Sequence, residues 1–303
     1  MSRLDKYKGI FPAFYACYDD KGDVSPERTR LFTQYLIDKG VKGLYVCGSS
    51  GECIYQNVEE RKLILENVME VAKGKITIIA HVAAPSTRDS VELAKHAEKC
   101  GVDAVAAIPP IYFRLPDYAI EKYWNDMVDA TDLDFVIYNI PGTTGYALTL
   151  DLFKKMITNK KVIGIKNSSM PTQDIQIFKA AAGEDFIVFN GPDEQFVSGR
   201  AIGADGGIGG TYAVMPELFI KADELINNGD FVTAKEIQFE INKIIFAMLS
   251  CHGNLYSVAK EILRRQGIDI GEARLPLPRF IQEDLPTILE CVDMIEKAKK
   301  KFC

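Results

Sequence analysis

The chain has 303 residues, 47% of them hydrophobic and 26% charged, an ordinary globular composition long enough for one large barrel or two smaller domains. Its net charge is −6 and no dense Lys/Arg cluster occurs, which argues against nucleic acid or an anionic membrane as partner. An anionic substrate would therefore have to be held by local dipoles, against the overall field.

Seven cysteines are scattered without a C-x-x-C pair: Cys17, Cys47, Cys53, Cys100, Cys251, Cys291 and Cys303. Most lie in apolar runs, which suggests reduced thiols in a cytoplasmic protein. His81, His96 and His252 lack metal-ligand spacing, which argues against zinc. The first residues, M-S-R-L-D-K-Y-K, have no signal-peptide core, and no apolar run approaches the ~18 residues of a membrane span.

Short apolar runs then alternate with amphipathic stretches. The strand candidates are 10–17, 43–47, 76–82, 103–108, 134–140, 162–166, 186–191 and 206–210. Helical patterns fill the gaps. One runs from Ser25, an N-cap followed by Pro26, to Lys39, with Gly40 as its stop. Another covers 58–73 and ends at Gly74, and a third starts at Ser86 and ends at Gly101. The β-α order implies a parallel sheet, and roughly eight such units before residue 228 fit a closed (β/α)8 TIM barrel. No G-x-G-x-x-G follows the first strand, which weakens a doubly wound open sheet. Residues 229–303 read as a C-terminal helical extension of three helices, at 230–250, 253–265 and 283–300, appended to a barrel domain of residues 1–228.

Barrel enzymes carry their chemistry at strand C-termini, so the residues that end each run matter most. V-I-G-I-K ends in Lys166. A lysine closing a buried strand is desolvated, its pKa falls, and a neutral amine attacks carbonyls; taken alone, such a residue is more often a lysine snorkelling to water. G-S-S-G-E follows the second strand. Its Gly48 turn can aim backbone N–H groups and the Ser49 and Ser50 hydroxyls at one carboxylate, or can be a plain βα turn. Tyr138 ends the fifth strand, either as a proton shuttle or as an interior tyrosine satisfied by backbone. P-D-E after the seventh strand supplies Asp193 and Glu194, which would also suit a helix start. The glycine run holding Gly209 and Gly210 leaves room for a ligand against backbone, or relieves crowding at a barrel corner. Together these groups are the equipment for amine catalysis on a keto acid.

At these positions the sequence resembles the N-acetylneuraminate lyase and dihydrodipicolinate synthase superfamily of class I, Schiff-base aldolases. The motifs are G-L-Y-V-C-G-S-S-G-E (43–52), K-G-K-I-T-I-I-A-H-V (73–82), P-P-I-Y (109–112), Y-N-I-P (138–141), G-I-K (164–166), N-G-P-D-E (190–194) and G-A-D-G-G-I-G-G-T-Y (203–212). They span essentially the whole chain. The resemblance implies Lys166 as the Schiff-base residue, Tyr138 as the proton-transfer phenol, and Ser49 and Ser50 as carboxylate binders with Ser49 in the relay. It implies that Tyr112 reaches a neighbouring subunit's site in a homotetramer, with no metal or organic cofactor.

Two positions divide the superfamily. The synthases usually carry an arginine two residues after the proline of Y-N-x-P, where this chain has Thr143. The lyases carry G-x-D-E after the seventh strand, matched here by Gly191, Asp193 and Glu194, whose carboxylates suit sugar hydroxyls. Ser168 matches a hydroxyl that lyases use near the substrate. Ser50 stands where lyases commonly have threonine, and Gly210 where they commonly have serine. The resemblance thus implies reversible cleavage of N-acetylneuraminate, a sialic acid, to N-acetylmannosamine and pyruvate. The alternatives are condensation of pyruvate with aspartate semialdehyde, another 2-keto-3-deoxy sugar acid aldolase, or a sugar-acid sensor that kept the barrel without catalysis.

Overall fold

The structure, a computed structural model, describes residues 2–303. Eight parallel strands alternate with helices. The first half runs β1 (Gly9–Pro12), α1 (Pro26–Asp38), β2 (Gly43–Val46), α2 (Val58–Ala72), β3 (Thr77–His81), α3 (Thr87–Cys100), β4 (Ala104–Ala107) and α4 (Asp117–Val128). The second half runs β5 (Asp134–Asn139), α5 (Pro141–Thr144), α6 (Leu150–Met156), β6 (Val162–Asn167), α7 (Gln173–Ala182), β7 (Ile187–Asn190), α8 (Phe196–Ala201), β8 (Gly206–Gly209) and α9 (Pro216–Asn227). The strands are ordered β1-β8-β7-β6-β5-β4-β3-β2. Closure between β1 and β2 comes from the Ala13/Tyr45 bridge and from Phe14 N–H donating to Tyr45 O at 2.9 Å. The chain folds as the expected TIM barrel with a C-terminal helical extension, here α10 (Phe231–Leu249), α11 (Leu255–Arg265) and α12 (Leu285–Phe302).

The local signals act as the sequence suggests. Ser25 accepts from Arg28 N–H and caps α1, Asn57 and Glu60 form a capping box on α2, and Ser86 caps α3, each cap contributing about 1 kcal/mol. Gly101 ends α3 with φ +82°, a conformation that glycine adopts without strain.

Two apolar layers result. Inside the barrel lie Phe11, Tyr45, Ile79, Ala104, Val136 and Phe189, with Leu4 and Tyr7 among them. A larger layer packs the outward strand positions on the helices. The apolar run 10–17 is strand only over Gly9–Pro12. Beyond it the chain is buried without a regular ladder, and Tyr18 N–H donates to Ile270 O under the C-terminal segment. Burial, not strand pairing, keeps that run apolar.

Candidate active site

β6 ends in Lys166, and a register shift decides which way it points. Phe135 pairs with Val162, but Val136 pairs with Gly164, so Ile163 is an extra residue opposite β5. Ile163 faces the barrel interior while Ile165 packs outside. The bulge therefore turns Lys166 inward, opposite Tyr138. Without it, plain alternation from Ile163 would put Lys166 among the helices.

Lys166 is 5% exposed. Its Nζ lies 4.0 Å from the ring centre of Tyr138 and 4.7 Å from that of Tyr45, over ring faces rather than against a carboxylate. Burial lowers its pKa to about 7, with the Asp193 charge opposing. About half of the amines are then neutral at pH 7. A second lysine, Lys260, is buried as deeply, but its Nζ is paired with Glu52 at 2.7 Å and also donates to Glu272 O. Burial lowers the pKa of Lys260 too, but the Glu52 charge opposes that and occupies its nitrogen, whereas no carboxylate among the described residues is bonded to Lys166.

Tyr138 is buried, and burial pushes its phenol up to about 12, while the Ser49 and Ser168 hydroxyls beside it pull down. Tyr45 packs edge-on against Tyr138, and the neutral His81 ring sits beside both. Burial and Arg61 hold His81 well below its ordinary pKa, so Nδ1–H donates to Cys47 O at 3.0 Å.

The turn after β2 is tight. Gly51 N–H and Cys53 N–H both donate to Gly48 O, and Glu52 N–H donates to Ser49 O. Cys47 and Glu52 flank it with φ of 60° and 57°, left-handed conformations that cost non-glycine residues about 1 kcal/mol each. A side chain at Gly48 would strike the Tyr45 ring. The Ser49 hydroxyl faces Tyr138, whereas Ser50 donates to the Tyr256 hydroxyl at 3.2 Å.

Asp193 is buried in a 3-10 turn, Asp193–Gln195. Its carboxylate accepts from Gly210 N–H at 3.2 Å, Thr211 N–H at 2.6 Å and Thr211 Oγ1–H at 2.5 Å. Burial raises its pKa to about 6 against those bonds. Most of its accepting capacity is thus spent on the end of β8. The Glu194 carboxylate, by contrast, has no hydrogen-bond partner among the described residues; Asn242 of α10 binds only its backbone carbonyl.

The open space expected along the glycine run exists at Gly210 alone. A Cβ at Gly206 would strike Gly9 backbone, at Gly207 the Tyr212 hydroxyl, and at Gly209 the Tyr212 ring and the Asp193 carboxylate. For those three the crowding explanation is the correct one. At Gly210 the nearest atoms would be Ser50 Oγ at 3.4 Å and Tyr256 at 3.7 Å. Gly191 is likewise a packing glycine, since any side chain there would meet Ser168.

Lys166, Tyr138, Ser49, Ser50, Ser168, Asp193 and Gly210 thus gather at one end of the barrel. Tyr112 does not join them: it is 92% exposed, with φ 79°, its ring against Phe113. A cavity of about 530 Å³ adjoins the mouth, lined by Ser49, Thr143 and Tyr256 and by Cys53, Arg61 and Pro85 farther along. Sequence reading missed Tyr256, Lys260, Glu52 and Gln238, which donates to Asp193 O. The available signal for Lys260 was a charged pair, Lys260 and Glu261, set amid Val258, Ala259, Ile262 and Leu263, all core residues of α11.

Residues 6–294 match the model of the dihydrodipicolinate synthetase family. The chain is 60% identical over its full length to an N-acetylneuraminate lyase of Mediterraneibacter gnavus, covering 96% of that protein. It is 32% identical to an N-acetylneuraminate lyase of Clostridium perfringens, over 97% of this chain and 98% of that one. Among solved structures, a catalytic-lysine mutant of Ruminococcus gnavus sialic acid aldolase superposes with a TM-score of 0.99 at 59% identity, each chain covered completely. The site described above therefore sits in a member of the dihydrodipicolinate synthetase family.

Proposed function

We propose that this protein is a carbon–carbon lyase that reversibly cleaves N-acetylneuraminate to N-acetylmannosamine and pyruvate through a Schiff base on Lys166. The observation that carries the reading is Lys166 itself: buried, facing the barrel interior, unpaired and opposite Tyr138. The relatives named N-acetylneuraminate lyase, the most similar at 60% identity among those described above, support the substrate, and the solved relative with a catalytic lysine supports the chemistry.

The turn 48–52 holds the substrate carboxylate with backbone N–H groups and the Ser49 and Ser50 hydroxyls. The neutral Lys166 amine attacks the C2 ketone of the open-chain sugar acid, and loss of water gives the iminium. Tyr138 then takes the C4 hydroxyl proton as the C3–C4 bond breaks, and the bond's electron pair moves into the iminium to give an enamine. A phenol raised to about 12 is protonated at neutral pH, so it must pass its own proton on as it accepts this one. Ser49 and the substrate carboxylate are the relay. N-acetylmannosamine leaves, C3 is protonated, and hydrolysis releases pyruvate and regenerates Lys166. Glu194 and Ser168 face the polyhydroxy tail, while Asp193 acts through the β8 end that it ties together.

The synthase alternative fits less well. Thr143 lines the mouth where a second substrate carboxylate would need a cation. A coupled assay tests the choice: pyruvate release from N-acetylneuraminate is expected to exceed pyruvate consumption with aspartate semialdehyde, and the reverse order would overturn the assignment.

Residues 1–228 serve as the catalytic barrel and 229–303 as the helical extension. The chain works as a homotetramer in which Tyr112 serves a neighbouring site, and it needs neither metal nor organic cofactor. No helix among the described residues is long and apolar enough to cross a membrane, and all seven cysteines are free, which supports a cytoplasmic setting.

A further inference from the structure

Helix α11 carries Tyr256 and Lys260 four residues apart, hence on one face. Both meet the turn 48–52. The Tyr256 hydroxyl accepts from Ser50 at 3.2 Å, and Lys260 Nζ pairs with Glu52 at 2.7 Å. The second Glu52 oxygen accepts from Arg274 N–H at 2.8 Å, so the carboxylate is held from two sides. The Glu52 side chain is 0% exposed and that of Lys260 1%. A pair this deep is a poor source of stability, because desolvation offsets its attraction. Its geometry is what distinguishes it. Glu52 is one of the two left-handed residues that bound the turn, and such a conformation persists only where the surroundings over-determine it.

We infer that α11 sets the shape of the carboxylate-binding turn, with Lys260 and Tyr256 as positioning residues that act through Glu52 and Ser50. The inference rests on the proposed role of that turn in holding the substrate carboxylate. It makes the helical extension part of the catalytic apparatus: the barrel supplies the amine and the phenol, and the extension fixes the turn. It also assigns the second buried lysine a role other than chemistry.

The test measures the pyruvate concentration that half-saturates borohydride trapping on Lys166, by intact mass of the full chain. Glu52→Gln paired with Lys260→Met removes both charges and leaves no buried ion unpaired. In that variant the half-saturating pyruvate is expected to rise about tenfold while the adduct at saturating pyruvate stays complete. Tyr256→Phe keeps the ring and is expected to raise it about threefold, as one lost hydrogen bond would. Unchanged half-saturation in the folded double variant overturns the inference, as does loss of the adduct at saturation, which would mean general damage. If the double variant fails to fold, Tyr256→Phe decides, and an unchanged value there overturns the inference. A wild-type protein that forms no adduct on Lys166 instead overturns the Schiff-base reading, and the two failures are thereby distinct.

Discussion

Lys166 and Lys260 are both buried and both lie over tyrosine rings, yet only Lys260 has a carboxylate at its nitrogen, whose charge opposes the lowering of its pKa by burial. Because the pKa of Lys166 falls to about 7, its reactive neutral form is lost as the pH drops. Imine formation with pyruvate is expected to slow about tenfold for each pH unit below about 7; a flat profile to pH 5 would contradict this. Tyr138→Phe should lower kcat by about 100-fold to 10,000-fold while pyruvate still forms its adduct on Lys166. Glu194→Gln separates the tail from the amine chemistry: KM for N-acetylneuraminate should rise about fivefold to tenfold, with pyruvate trapping unchanged. Asp193→Ala is the poorer probe, because it strips partners from Gly210 and Thr211 and so disturbs β8 itself.

At the scale of elements, β6 and β8 carry the decisions. The extra residue at Ile163 offsets the register so that Gly164, Ile165 and Lys166 pair with Val136, Ile137 and Tyr138, which leaves Lys166 facing inward. In β8, Gly209→Ala drives a methyl into Tyr212 and should cost about 1–3 kcal/mol in denaturant unfolding. Gly210→Ser, the residue common in the lyases, meets Ser50 at an ordinary distance and should unfold within about 0.5 kcal/mol of the native chain. The eight strands, the capped helices, Lys166 and the turn 48–52 were all legible, because each depends on local periodicity or on a cap. The bulge was not, since Val162 to Ile165 reads as a uniform apolar run whichever side each residue faces. Nor were Tyr256 and Lys260, which lie more than 200 residues from the Ser50 and Glu52 they touch. The three crowded glycines were ambiguous because what fills their space, the Tyr212 ring, Asp193 and the β1 backbone, is set by packing and leaves no mark in the local pattern.

For the whole molecule, two groups stand out among the exposed apolar residues. Val232, Phe239 and Phe246 recur every seven residues along α10, and the exposed Tyr112 is followed by exposed Phe113 and Tyr118. Faces of this kind mark association, and they support the homotetramer that the family resemblance implies. Sedimentation at micromolar concentration should give a tetramer, and a monomer would count against the shared role of Tyr112. The central claim is narrower: of all the lysines in the chain, one forms an imine. Borohydride reduction in the presence of pyruvate, followed by intact mass and peptide mapping, tests it directly. The account requires a single pyruvate-derived adduct, on Lys166, that disappears in Lys166→Ala; an unmodified chain, or an adduct on Lys260, would contradict it.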